Sequence, residues 1–512
     1  MNGHLGEQLA LLPTRLGQHL GLTLVALGVG VALSVPLSLL AVRFRGVRWV
    51  VLSGAGVVQA IPGLALLALM VPAFDLLRRH ALPGLSAFGF WPAAVALVLY
   101  SMLPVLRNTV TGVLGIEPSL LEAARGLGMT PRQTLLRVQL PLAMPFILAG
   151  VRTAASWTVG VATLSTPVGQ PSLGDYIFAG LQTRNWTAVL VGCIAAAGLA
   201  LALDATVGLW ESAAATHSRA RVLVASAGSV LVLTAGLWPF LTRSAVDPVR
   251  IGAKTFTEQY VLAEVIATSA KHAGFEVSSV GSLGSTIVFD ALVAGDVDAY
   301  VDYSGTIWAN QLGRTDVADA DTVLAEVTRW LAQKHGVTCL GRLGFENAYA
   351  LAMRRDRAES LGVHSITDLA PLMSKLKLGG DYEFFSRPEW KRLSELYGLT
   401  PAAKVSFDSS FMYKAVQLGE VDVISAFSSD GRIAAFDLVV LGDPLHALPP
   451  YDAVLLVGPG AHKHPGLVES LRPLVGAIDV SVMRHANELV DLDGASRTEA
   501  AAWLRTAAHL DR

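Results

Sequence analysis

Six apolar runs, near residues 20–42, 49–73, 91–113, 144–165, 188–210 and 222–241, crowd the first half of this 512-residue chain. Each holds roughly the twenty apolar residues that a helix needs to cross about 30 Å of hydrocarbon. Lipid offers no partner for backbone N–H and C=O groups, so a run of this kind is stable there as a helix. The runs therefore predict an all-α bundle of six spans. Only 16% of the residues are charged, against about 25% in soluble chains. The charges thin out before about residue 245 and return to ordinary density after it. Residues 1–245 thus read as a membrane domain and 246–512 as a soluble one, each long enough for its own core.

Positive charge orients the spans. Arg43, Arg45 and Arg48 follow the first run, Arg125, Arg132 and Arg137 follow the third, and Arg219 and Arg221 precede the sixth. These loops share one side, and their charge assigns it to the cytoplasm. The N-terminus and the soluble domain then lie outside, with Arg78 and Arg79 as a mild exception. Residues 5–18 read as an amphipathic segment at the interface ahead of the first span. No positive n-region marks a cleaved signal peptide. Pro36, Pro62 and Pro104 interrupt spans, as either a channel-lining bundle or ordinary kinks would allow. The net charge of −2 gives no hint of nucleic acid. Cys193 and Cys339 lie in different domains and read as buried structural thiols rather than a disulfide or a metal site.

The loop between the third and fourth runs carries Glu122-Ala123-Ala124, then Gly128, and after nine residues Val138-Gln139-Leu140-Pro141. Glu-Ala-Ala alone is a common surface-helix fragment. With the glycine, the Leu-Pro and the flanking spans, the pattern resembles the coupling loop, here near 117–143, of bacterial ABC importer permeases of type I. That resemblance implies a helix-turn-helix docked in a groove of a cytoplasmic ABC ATPase subunit, through Glu122, Ala123, Ala124, Gly128, Leu140 and Pro141. It also implies a homodimer, since two bundles enclose one path. Gly128 suits a turn, and Pro141 suits the first turn of the next helix. No GxxxxGK[ST] loop occurs, so ATP is expected to be hydrolysed by the partner and no cofactor is expected in this chain.

After a tether at Trp238–Pro248, a strand at Val249–Gly252 opens an alternation of short apolar runs and helical patterns. It predicts a helix near 257–273, a strand at Glu276–Val280, a helix near 285–295 and a strand at Val421–Ala426, an α/β domain or two lobes of one. Several segments resemble the substrate-binding proteins of osmoprotectant importers. They are Ile251–Gln259, Leu283–Thr286, Gly295–Thr306, Asn347–Leu351, Glu383–Arg387, Tyr413–Val416, Asp430–Ile433 and Pro449–Ala453. The resemblance implies a two-lobed periplasmic-binding-protein domain, lobe 1 about 249–345 and 455–510, lobe 2 about 346–454, with the ligand between. It points to a permease fused to its binding protein, taking up glycine betaine, choline, carnitine or ergothioneine. Departures such as Asp302-Tyr303-Ser304 and Trp390 leave the choice among them open.

A quaternary ammonium has no N–H to donate and is held by ring faces, at about 0.5–2 kcal/mol per ring. Eight of the ten tyrosines follow residue 249. The resemblance implies a cage of Tyr303, Tyr349, Tyr413 and Tyr451, whereas Tyr260, Tyr300, Tyr382 and Tyr397 read as structural. For any one tyrosine, a half-buried core position is the plain alternative. A ligand carboxylate would need donors, and Arg387 offers a fork, unless it pairs with Glu383. Lys254, Thr257, Ser285, Thr286, Thr306 and Asn347 complete the implied cleft. Phe384 and Phe385 read as one cleft wall and one core residue, and Trp390 as either. No HExxH, nucleophile–base pattern or metal-ligand cluster suggests an enzyme. Two rivals remain: a polar amino acid importer with a similar fusion, and a membrane-tethered receptor. The expected location is the bacterial inner membrane, multi-pass, with the binding domain on the extracytoplasmic side.

Overall fold

The structure is a computed structural model that describes residues 2–82, 85–183, 185–216, 218–241, 247–314, 316 and 318–511. Residues 242–246 of the expected tether lie outside the described residues. The chain divides into two compact units, Met1–Ile177 with Thr187–Ala245 and Phe178–Trp186 with Val246–Arg512.

The first unit is helical. Its elements are α1 (Asn2–Arg43), α2 (Arg45–Ala60), α3 (Gly63–His80), α4 (Phe90–Leu114), α5 (Pro118–Gly126), α6 (Pro131–Thr134), α7 (Leu140–Ala162), the first turn of α8 (Gly174–Gln182), α9 (Trp186–Thr216) and α10 (Arg219–Leu241). α4, apolar on nearly every face, packs against α1 and α7 at the centre. Among the described residues, five helices are long and apolar enough to cross a membrane, or six if the bent pair α2–α3 is one span. The run at 49–73 is therefore not one straight helix. Its two parts bend by 103° at Ile61-Pro62, because the residue before a proline is driven out of the helical region, here to φ −70 and ψ 130. Residues 5–18 also differ from expectation. They continue α1 into the first span rather than forming a separate interfacial segment. Cys193 is exposed on α9 rather than buried, and Cys339 is half-buried.

Several polar groups within this unit are paired. His19 on α1 is fully buried. Its Nδ1 accepts from the Leu173 N–H at 3.3 Å, which leaves the proton on Nε2 to face the Val159 carbonyl at 3.2 Å. Arg152 on α7 donates twice to Asp204 on α9, at 2.7 and 2.7 Å, with Glu211 at 3.5 Å. Arg78 and Arg79, the exceptions to the charge rule, are both paired with Asp75.

The second unit contains two five-stranded sheets of the same plan. The first has the order β2-β1-β3-β10-β4 and the second β7-β6-β8-β5-β9. The strands are β1 (Val249–Lys254), β2 (Val277–Leu283), β3 (Ala299–Tyr303), β4 (Thr338–Glu346), β5 (Tyr349–Arg354), β6 (Lys377–Asp381), β7 (Ala403–Phe407), β8 (Val423–Phe427), β9 (Leu438–Val440) and β10 (Asp452–Val457). In each sheet three neighbouring strands pair in parallel and the fourth in order, β10 or β5, runs antiparallel to its neighbours. The chain passes from one sheet to the other at Asn347-Ala348 and returns between Val440 and Asp452. Helix α11 (Thr257–His272) packs on the first sheet beside the C-terminal helices Val480–Asp491 and Arg497–Ala507.

Candidate binding site

The two sheets aim the same ends at each other. Lys254, Tyr303, Asp381 and Phe427 are the last residues of the parallel strands β1, β3, β6 and β8. Tyr349 opens β5, and Tyr451 immediately precedes β10. Because β5 and β10 run antiparallel to their neighbours, their starts lie at the same edge as the others' ends. A crevice outside the carboxyl ends of parallel strands is where α/β folds bind ligands. A cavity of about 150 Å³ lies there, and all six residues line it.

Rings dominate its walls. Tyr349 and Phe427 are direct cross-strand partners in the β5–β8 pair, which puts both rings on one face, 4.9 Å apart. Tyr451 meets Tyr349 edge-on at 6.0 Å. Phe256, at the start of α11, lies parallel to Phe427, 6.0 Å away and within 5°, and 6.1 Å from Tyr303. One wall of this stack comes from each lobe.

Of the residues expected from the sequence, Lys254, Ser285, Tyr303, Thr306, Asn347, Tyr349, Arg387 and Tyr451 line this cavity. Three do not. Tyr413 is fully buried behind β8, where its oxygen accepts the Phe427 N–H at 3.0 Å and Arg432 stands 4.1 Å over its ring. It braces the end of the strand and meets the cleft only through Phe427. Thr257 turns away to donate to Asp491 at 2.6 Å. Thr286, in the first turn of α12 (Ser285–Ala294), is absent from the lining.

Phe256, Phe427, Tyr382 and the acidic group Asp381, Glu383 and Asp408 also line the cavity, beyond the site residues expected from the sequence. Phe427 carried a signal: an aromatic residue closing an apolar strand just before a Ser-Ser-Asp-Gly turn. A search for tyrosines alone misses it, although a phenyl face attracts a cation as a phenol face does. Tyr382, expected to be structural, is 71% exposed. Phe384 and Trp390 are buried against each other, 5.6 Å apart, and neither lines the cavity.

The two cations of the cleft already have partners. Lys254 Nζ pairs with buried Asp302 and stands 5.2 Å from the Tyr303 ring. Arg387 pairs with Glu383 and Glu389, both at 3.1 Å, and lies 5.2 Å from the Tyr349 ring. Burial raises the Asp381 carboxyl above its usual range, opposed by the N–H groups of Glu383 and Phe384 and by Tyr349. Burial also holds the Tyr303, Tyr349 and Tyr451 phenols well above theirs. These rings therefore stay neutral, with their hydroxyls free to donate.

A helical membrane unit with a coupling-type loop, continuous with a two-lobed α/β domain around a ring-lined cleft, defines an importer subunit that carries its own binding domain. Residues 247–506 match the substrate binding domain of ABC-type glycine betaine transport systems. Residues 27–216 match the binding-protein-dependent transport system inner membrane component. The chain belongs to this family, as a fused permease and binding subunit of an ABC importer. It is 28% identical to the ergothioneine transport permease/ergothioneine binding protein of Helicobacter pylori, over 84% of this chain and 78% of that one. The membrane unit is similar to the choline transport system permease protein of Bacillus subtilis, 37% identical over 38% of this chain and 84% of the relative. The binding unit is similar to the carnitine transport binding protein of Listeria monocytogenes, 30% identical over 51% of this chain and 89% of the relative.

Proposed function

We propose that the protein imports a quaternary ammonium compound across the bacterial inner membrane, drawing energy from a separate ATPase. The observation that carries this reading is the wall of five rings, Phe256, Tyr303, Tyr349, Phe427 and Tyr451, around one cavity. At about 0.5–2 kcal/mol per ring, they supply a good part of the roughly 8 kcal/mol that micromolar binding requires. The acidic lining of Asp381, Glu383 and Asp408 favours the same positive head. Arg387 and Lys254 can turn toward a ligand carboxylate by exchanging a protein partner for it. Ergothioneine, choline and carnitine, named for the relatives, all present a trimethylammonium group.

The coupling loop has the build of a docking surface. α5 ends in a Schellman motif, with the Met129 N–H on Ala124 at 3.1 Å, the Gly128 N–H on Arg125 at 2.9 Å, and Gly128 at φ +75. A capping box at Thr130 and Gln133 then starts α6. Leu120, Leu127 and Leu136 are left exposed, Leu127 by 78%, as suits an apolar groove on a partner. Two copies would enclose the path. If α2–α3 counts as one span, the three arginine-bearing loops share the cytoplasmic side and the binding unit lies outside. A polar amino acid ligand, whose α-ammonium donates N–H bonds, would have no need of five ring faces.

Calorimetric titration of the purified full chain with glycine betaine, choline, carnitine and ergothioneine tests the reading, with glutamine and arginine as controls. Micromolar or tighter binding of a trimethylammonium compound is expected. Binding of glutamine or arginine alone overturns it.

A further inference from the structure

The three buried tyrosines that line the cavity share an arrangement behind it. Each phenol donates to a different carboxylate: Tyr303 to Glu258, Tyr349 to Asp381 at 3.0 Å, and Tyr451 to Glu389. Asp381 lines the cavity itself. Glu258 and Glu389 do not. Both are 2% exposed and touch the cleft through a ring, Glu258 also through Asn347 and Glu389 also through Arg387.

Glu258 is the sharper case. Besides Tyr303, its oxygens accept from Asn347 Nδ2 at 3.0 Å, from Ser429 Oγ, and from Asn487 Nδ2 at 3.3 Å. All four partners are uncharged. Burying a carboxylate without a counter-ion is costly even when its oxygens are satisfied. Anchoring a phenol needs only a neutral acceptor, and a backbone carbonyl or a glutamine would serve. Burial raises the Glu258 carboxyl above its usual range while its four donors favour the ionised form, and in that form a carboxylate adds charge. A hydroxyl that donates to an anion is polarised along the hydrogen bond, which pushes electron density into its ring and deepens the negative face on which a cation rests. Tyrosine–carboxylate pairs also occur away from the cleft, at Tyr300–Asp302 and Tyr397–Asp443, so pairing alone proves nothing. The coincidence is that every one of the three buried cavity tyrosines has such a partner.

We infer that Glu258 and Glu389 are positioning residues of the cage, holding Tyr303 and Tyr451 and enriching their ring faces so that the cleft selects a charged head over a neutral one of the same shape. This rests on the reading of the cleft as a quaternary ammonium site.

The test uses the full chain in detergent and three ligands: choline, glycine betaine and ergothioneine. Each is titrated against the analogue in which a neutral carbon replaces the quaternary nitrogen. The wild type should prefer the cation. Glu258→Gln and Tyr303→Phe should each cut that preference about fivefold, leaving the affinity for the carbon analogue within about twofold. The double variant should be no worse than either single, because the carboxylate acts through the phenol. Tyr303→Phe keeps the test open should Glu258→Gln fail to fold, and Glu389→Gln with Tyr451→Phe repeats the cycle at the second pair. Equal losses for cation and analogue, or fully additive losses in the double variant, overturn this inference alone. Failure of the wild type to bind any of the three cations overturns the quaternary ammonium reading together with it.

Discussion

The two halves of this chain handle polar groups in opposite ways. The membrane unit keeps them few and settles them locally or by pairing. His19 bridges two backbone groups, Asp75 holds Arg78 and Arg79, and Arg152 grips Asp204. The binding unit concentrates them. Carboxylates, amides and hydroxyls crowd behind a set of rings, and Glu258 is buried with no charged partner on its oxygens. In the bilayer a polar group must be neutralised before anything else. In the binding unit a carboxylate can be held by uncharged donors behind the rings that meet the cavity. Scaffold and site are thus built on different rules within one polypeptide.

Substitutions can break or sharpen that comparison. The largest effect belongs to Gly128. A β-branched residue at φ +75 is strained, so Gly128→Val should abolish ligand uptake and loosen co-purification of the ATPase, with ligand binding unchanged in titration. Next is Tyr349→Ala, which removes the ring that meets Phe427, Tyr451 and Phe384. Affinity should fall on the order of 100-fold while the ATPase still co-purifies. Arg152→Met should lower the thermal stability of the detergent-solubilised protein by stranding Asp204. Adding Asp204→Leu should restore most of it, since removing both members of a pair costs less than removing one. The smallest effect is Tyr413→Phe, which costs the hydrogen bond to the Phe427 N–H, worth about 1 kcal/mol. Ligand affinity should drop only about fivefold, well short of Tyr349→Ala, as expected of a residue behind the cleft wall.

The unequal legibility of the halves has the same origin. The spans and the loop that carries Glu122, Gly128 and Pro141 obey constraints that run along the chain, namely length, hydropathy and spacing. Glu122, Gly128 and Pro141 fall on one helix-turn-helix because a fixed number of residues separates them. The bend at Ile61-Pro62 is set locally by the proline and the continuity of α1 by packing, and hydropathy registers neither. In the binding unit the strand and helix pattern was readable, and the rings of Tyr303, Tyr349 and Tyr451 meet around one cavity. Phe427 joins them because β5 and β8 pair in a register that sets it opposite Tyr349, a fact of sheet pairing between distant segments. Tyr413 shares the tyrosine chemistry but sits on a helix behind that sheet, so residue type alone misplaced it. The carboxylates behind the cage were invisible for the same reason. Glu258 lies 45 residues from Tyr303 and Glu389 62 from Tyr451, and no local motif links either pair.

The central claim is that one chain both selects a quaternary ammonium ligand and couples it to an external ATPase. Reconstitution of the full chain with its ATPase in proteoliposomes, followed by measurement of ATP hydrolysis with and without ligand, tests it most directly. Hydrolysis should rise on adding choline, glycine betaine or ergothioneine outside the vesicle, and the rise should vanish in both Tyr349→Ala and Gly128→Val. Hydrolysis indifferent to all three ligands, or a response that survives loss of the Tyr349 ring, would contradict the account.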